Sequence, residues 1–78
     1  MEQKIRRDRY MGRNLRRLRD AAEISQEKLC AELQNRGCDI GRSTYAKYES
    51  GELNIRASVL IQLKDIYHCA YDEFFKDL

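Results

Sequence analysis

Apolar residues recur along this chain with the spacing of short amphipathic helices. Met11, Leu15, Leu18 and Ala22 fall on one helical face, with Arg13, Arg16, Arg17 and Asp20 on the others, which predicts a first helix over 10–23. Ser25 offers an N-cap oxygen and Glu27 a first-turn carboxylate. Leu29, Cys30 and Leu33 then form an inward stripe, so a second helix should run over 26–35 and stop at Gly37. A third helix is expected over 42–50, with Tyr45 and Tyr48 sharing a face and Gly51 ending it. Val59, Leu60, Leu63, Ile66 and Tyr67 predict a fourth over 57–67. Tyr71, Phe74 and Phe75 mark a last short one over 71–77. No strand alternation and no internal repeat is visible. The expectation is an all-α, five-helix domain over 10–78, preceded at 1–9 by a basic arm that is either frayed or a polar extension of the first helix.

Composition narrows the class. The 78 residues allow one domain, and 42% hydrophobic with 36% charged residues suits a folded helical chain with a wet surface. The net charge of +2 hides an asymmetry. Residues 1–36 hold ten Lys and Arg against six Asp and Glu, whereas 37–78 hold five against seven. A basic front half suits a polyanion. The three cysteines, Cys30, Cys38 and Cys69, form no CxxC pair, and His68 beside Cys69 has no matching second pair, so neither a disulfide framework nor a metal site is expected. With no long apolar run and no signal-peptide pattern, the expected setting is the cytoplasm, without membrane, cofactor or small-molecule ligand. A single histidine and no nucleophile–base arrangement argue against an enzyme.

The segment 42–50 has the two faces that a groove-reading helix needs. Arg42, Ser43, Ala46 and Lys47 lie on one side and Tyr45 and Tyr48 on the other. Arg and Lys donate to guanine O6 and N7, Ser bonds several base edges, and the Ala46 methyl suits a thymine methyl. At helical spacing the tyrosines are expected to pack inward with their hydroxyls at the rim.

Three pieces in order, LRRLRDAAEISQEKL (15–29), RSTYAKYESGE (42–52) and VLIQLKDIYHCAYDEFF (59–75), make segment 11–75 resemble the phage-repressor and Cro family of helix-turn-helix domains, which includes xenobiotic-response-element-type bacterial regulators. The resemblance implies a lambda-repressor-like fold and a sequence-specific double-stranded DNA-binding transcriptional regulator, a repressor in bacterial or phage cytoplasm at the nucleoid. It implies base contacts at Arg42, Ser43 and Lys47, alongside Ala46. It implies phosphate contacts at Gln26, which in relatives also braces the recognition helix, and at Ser50, Gly51 and Asn54 in the following turn. Arg19 and Glu49 match a pair that forms a partly buried salt bridge in relatives. Cys30 stands where relatives carry a small alanine, and is expected to act by packing.

The chain also departs from the family pattern. Its connection between helices two and three, QNRGCDIG, is longer than the tight turn of the phage proteins by about five residues, a modest cost at about 0.6 kcal/mol per doubling of loop length. Arg36 in that connection is a candidate for the DNA backbone, and Gly41 replaces a Ser or Thr N-cap. Phe75 and Leu78 are candidates for a dimer surface, and a homodimer would suit a palindromic operator. Arg6, Arg7 and Arg9 are either solvated or poised for a minor groove. Regulation is expected to come from a partner, from abundance or from a longer parent. The alternative function is a protein-interaction module, antitoxin-like or accessory, with DNA binding secondary.

Overall fold

A computed structural model describes residues 2–77, and their side chains from residue 11 onward. Four α-helices follow one another: α1 at Glu2–Ala21, α2 at Gln26–Asn35, α3 at Arg42–Ser50 and α4 at Ala57–Tyr67. A 3₁₀ helix at Tyr71–Phe75 closes the chain. The fifth helix is therefore a 3₁₀ turn and not an α-helix. Five residues give almost no room for i→i+4 bonds, and the carbonyls of Phe74 and Lys76 go instead to the side chain of Asn14. Helix α1 starts well before residue 10. Nothing between Glu2 and Met11 breaks a helix, and the Lys, Arg, Glu and Gln there are good helix formers.

Each α-helix ends in the same way. The chain turns back so that two N–H groups beyond the end reach carbonyls of the last turn, the Schellman arrangement. After α2, Gly37 (φ 89°) sits in the left-handed region, and the N–H groups of Gly37 and Cys38 donate to Gln34 and Leu33. Gly51 (φ 84°) ends α3, where it and Glu52 donate to Tyr48 and Lys47. Glycine is absent at the other two ends: Glu23 (φ 57°) and His68 (φ 52°) occupy the equivalent positions after α1 and α4.

The core is built by Leu15 and Leu18 of α1, Leu29, Cys30 and Leu33 of α2, Ile40, Tyr45 and Tyr48 around α3, Val59 and Leu63 of α4, and Phe74. Ala22, expected on the inward face of α1, is exposed. Helix α1 packs chiefly on α3 and on the 3₁₀ helix, and α2 packs on α3. Asn14 is a polar side chain buried in this core, and it donates through Nδ2 to Phe74 O and Lys76 O, both at 2.9 Å. Beside it, Arg17 reaches Glu73 at its carbonyl (3.0 Å) and its carboxylate (3.3 Å). These bonds fasten the C-terminal turn over Leu15 and Leu18. Asn14→Ala strands one or both carbonyls and is expected to cost about 1–3 kcal/mol. The check is a lowered urea midpoint, with α3 contacts unchanged by NMR.

Candidate nucleic-acid interface

Helix α3 is anchored by its inner face. Tyr45 is fully buried and Tyr48 nearly so, their rings edge to face with centroids 6.2 Å apart. The Tyr45 hydroxyl does not reach the rim. It and the Tyr67 hydroxyl are buried without a hydrogen-bond partner of good geometry, and burial pushes both phenols well above their ordinary value. The whole ring of Tyr45 is taken into the layer between α3 and its neighbours, which carries the oxygen inward with it.

A polar bracket holds the end of α3 to the other two helices. Arg19 of α1 pairs with Glu49 in two-pronged fashion, Nε to Oε2 at 2.7 Å and Nη2 to Oε1 at 3.2 Å, and gives Nη1 to the Ile24 carbonyl at 2.9 Å. Both side chains are largely removed from water, at 12% and 6% exposure. Gln26, at the start of α2, donates from Nε2 to Glu49 Oε1 at 3.0 Å. Burial works against the Glu49 carboxylate. The hydrogen bond from Arg19, the Tyr45 hydroxyl beside it and the Gln26 amide outweigh that and hold its pKa below the ordinary glutamate value. So Gln26 braces α3 in this structure, and its second amide hydrogen is the one a phosphate would have to use.

The outer face of α3 is polar. Arg42, Ser43 and Lys47 are exposed and Ala46 is half-buried between them. Gly41 caps the helix in an extended conformation without a side-chain bond, whereas Ser25 Oγ accepts the Lys28 N–H at 3.1 Å at the head of α2. In the turn after α3 the expected phosphate groups differ in their prospects. The Gly51 N–H returns to Tyr48 O at 3.3 Å, so it is spent on the helix cap. The Ser50 hydroxyl lies 3.2 Å from Lys47 O and 3.0 Å from the Glu52 carboxylate, a negative charge at that spot. Asn54 is exposed and lies beyond the cap.

Arg36 is held by Glu32 of α2 (2.9 Å) and by Asp65 (2.6 Å) and Gln62 (3.3 Å) of α4. Cys30 is buried between α2 and α3, and burial pushes its thiol pKa up. Phe75 is 47% exposed, as is Tyr71 at 41%. Leu78 and the side chains of Arg6, Arg7 and Arg9 lie outside what the structure describes. Among the described residues no helix is long and apolar enough to cross a membrane. Sequence reasoning missed Gly12. There α1 and α3 touch backbone to backbone, and a Cβ would lie 2.8 Å from the Glu49 carbonyl carbon and 2.9 Å from Tyr48 O. A lone glycine inside a helical stripe was the available signal.

Two consecutive short helices, crossing over a shared core with a braced second helix whose outer face is basic, define a helix-turn-helix module. Residues 11–74 match the family model described as a helix-turn-helix domain, and the chain belongs to that family. No curated protein and no solved structure matches the chain at a significant level. The family implies DNA as partner and a regulator's role, and it is typically non-enzymatic.

Proposed function

We propose that this domain is a sequence-specific reader of double-stranded DNA, acting as a transcriptional repressor, with α3 in the major groove of a palindromic operator. The single observation that carries this is the exposed Arg42, Ser43 and Lys47 face on a helix whose opposite side is locked by Tyr45, Tyr48 and the Arg19–Glu49–Gln26 bracket. A rigid helix presents its donors at fixed positions, which is what base readout requires. In this reading Arg42 and Lys47 donate to base edges, and Ser43 and Ala46 contact the neighbouring bases. Gln26 and Asn54 hold phosphates, with Ser50 and the Gly51 turn at the edge of that contact. The exposed Phe75 supports a homodimer on half-sites about 10 bp apart. The place of action is a bacterial or phage-infected cytoplasm, at the nucleoid.

Selection of bound DNA from a random pool tests the reading. The wild-type chain should return a motif favoured about 10³-fold or more over bulk DNA. Arg42→Ala and Lys47→Ala should each relax preference at one or two positions, at about 1–3 kcal/mol. Gln26→Ala and Asn54→Ala should weaken binding to all sequences alike. Motifs unchanged in Arg42→Ala and Lys47→Ala would sink the assignment of α3. Binding that competitor DNA abolishes as readily as the selected site would favour a protein-interaction module instead.

A further inference from the structure

The long connection between α2 and α3 is fastened at several points. Gln34 Nε2 donates to the Ile40 carbonyl at 2.9 Å, and Ile40 itself is buried at 2% exposure one residue before the Gly41 cap. Two hydrogen bonds close α2, from the Gly37 N–H to Gln34 O and from the Cys38 N–H to Leu33 O. The Cys38 thiol lies 3.8 Å from the Ser58 carbonyl in the first turn of α4. Arg36 spans the gap, joining Glu32 on α2 to Asp65 and Gln62 on α4. A short turn fixes the angle between two helices by leaving the backbone no alternative. A six-residue stretch from Arg36 to Gly41 does not, so the ties of that stretch add to the packing of Tyr45 and Tyr48 and to the Glu49 bracket in setting the angle.

We infer that Arg36 is a positioning residue for DNA readout: by clamping the α2–α3 connection to Asp65 of α4, it fixes the angle at which α3 meets the groove. The inference rests on the reading of α3 given above. Arg36 and Asp65 both face solvent, at 29% and 68% side-chain exposure, and an exposed pair adds little to global stability. Loss of the clamp should therefore leave the domain folded and loosen only the lead into α3. Specific binding needs several donors aligned at once, whereas nonspecific phosphate attraction tolerates a few degrees of tilt. The clamp thus acts on selectivity. A direct phosphate contact by Arg36 would act on every sequence and would show in the salt dependence.

The test uses Arg36→Ala, Asp65→Ala and the double variant in the full chain. Affinity is measured for the selected operator and for random DNA over a range of salt, with amide exchange in the free protein. Each single variant should lose about five- to tenfold in operator affinity, with random-DNA affinity and salt slope unchanged. The double variant should lose no more than Arg36→Ala alone, because Arg36→Ala already breaks the contact with Asp65. Amide exchange should quicken from Ile40 to Tyr45 and stay constant in α1. A loss on all DNA with the salt slope reduced by about one would make Arg36 a phosphate ligand and overturn the clamp. Unchanged exchange at Ile40–Tyr45 would overturn it too, whatever the DNA results. Failure of the wild-type chain to select any motif would instead strike the proposed function, leaving the exchange measurement to decide whether the clamp exists.

Discussion

Glu49→Ala should leave little folded protein at room temperature in mild urea. The substitution strands the Arg19 guanidinium in a site only 12% exposed, and it removes the acceptor of the Gln26 amide. Breaking one partner of a buried pair costs about 3–5 kcal/mol. A domain of this size has about 4–12 kcal/mol in total. Arg19→Ala should act similarly from the other side. The double replacement Arg19→Met with Glu49→Leu should recover most of the loss, because it removes both charges and keeps the volume. Urea denaturation of the four proteins decides between these outcomes; single variants as stable as wild type would show that the bracket contributes nothing. The pair also contributes to the response to acid. Glu49 has a lower pKa folded than unfolded, so its contribution is complete above the unfolded value near 4.5. It is lost as pH falls through the lower folded value. The urea midpoint of the wild type should drop across that window, and that of Glu49→Gln should drop less.

Gly12→Ala is the second large effect. Replacing a helical glycine by alanine ordinarily stabilises by about 1 kcal/mol. Here the new methyl overlaps the Glu49 carbonyl oxygen and crowds Tyr48 O, and both obstacles are main-chain atoms that cannot rotate aside. Helices α1 and α3 must separate, which costs about 1–3 kcal/mol for overpacking and also pulls on the Arg19–Glu49 pair. Set against that gain, a net loss of about 1–2 kcal/mol corresponds to a fall in Tm of about 4–16 °C. A melting curve that matches or exceeds wild type would show that the two helices part without cost. The same displacement tilts α3, so operator affinity should fall more than random-DNA affinity.

The sequence made much of the fold legible because helix periodicity is local. The stripes at Leu29–Leu33, Tyr45–Tyr48 and Val59–Leu63 placed α2, α3 and α4 within their observed bounds. The outer face of α3 could be read for the same reason: Arg42, Ser43 and Lys47 fall off the side that Tyr45 and Tyr48 share, and they are exposed. What escaped depends on partners distant in the chain. Asn14 looks like an ordinary polar position of α1 until Phe74, sixty residues on, brings a carbonyl to it. Arg36 looks like a loop cation free to meet DNA until α4 brings Asp65 against it. Gly12 has meaning only once α3 lies on α1. Tyr45 shows the limit within one element: spacing gave the inward direction of the ring but not how deep its hydroxyl would sit.

The helix ends carry one more consequence. Two of the four reversals are made by residues with side chains, Glu23 and His68, held in a backbone shape that glycine adopts without strain. Neither lies on the face of α3 that carries Arg42 and Lys47. The domain therefore has room to become sturdier at points off the Arg42 and Lys47 face. A lineage that relaxed those two corners could then absorb damaging changes in α3 while it shifts from one operator to another.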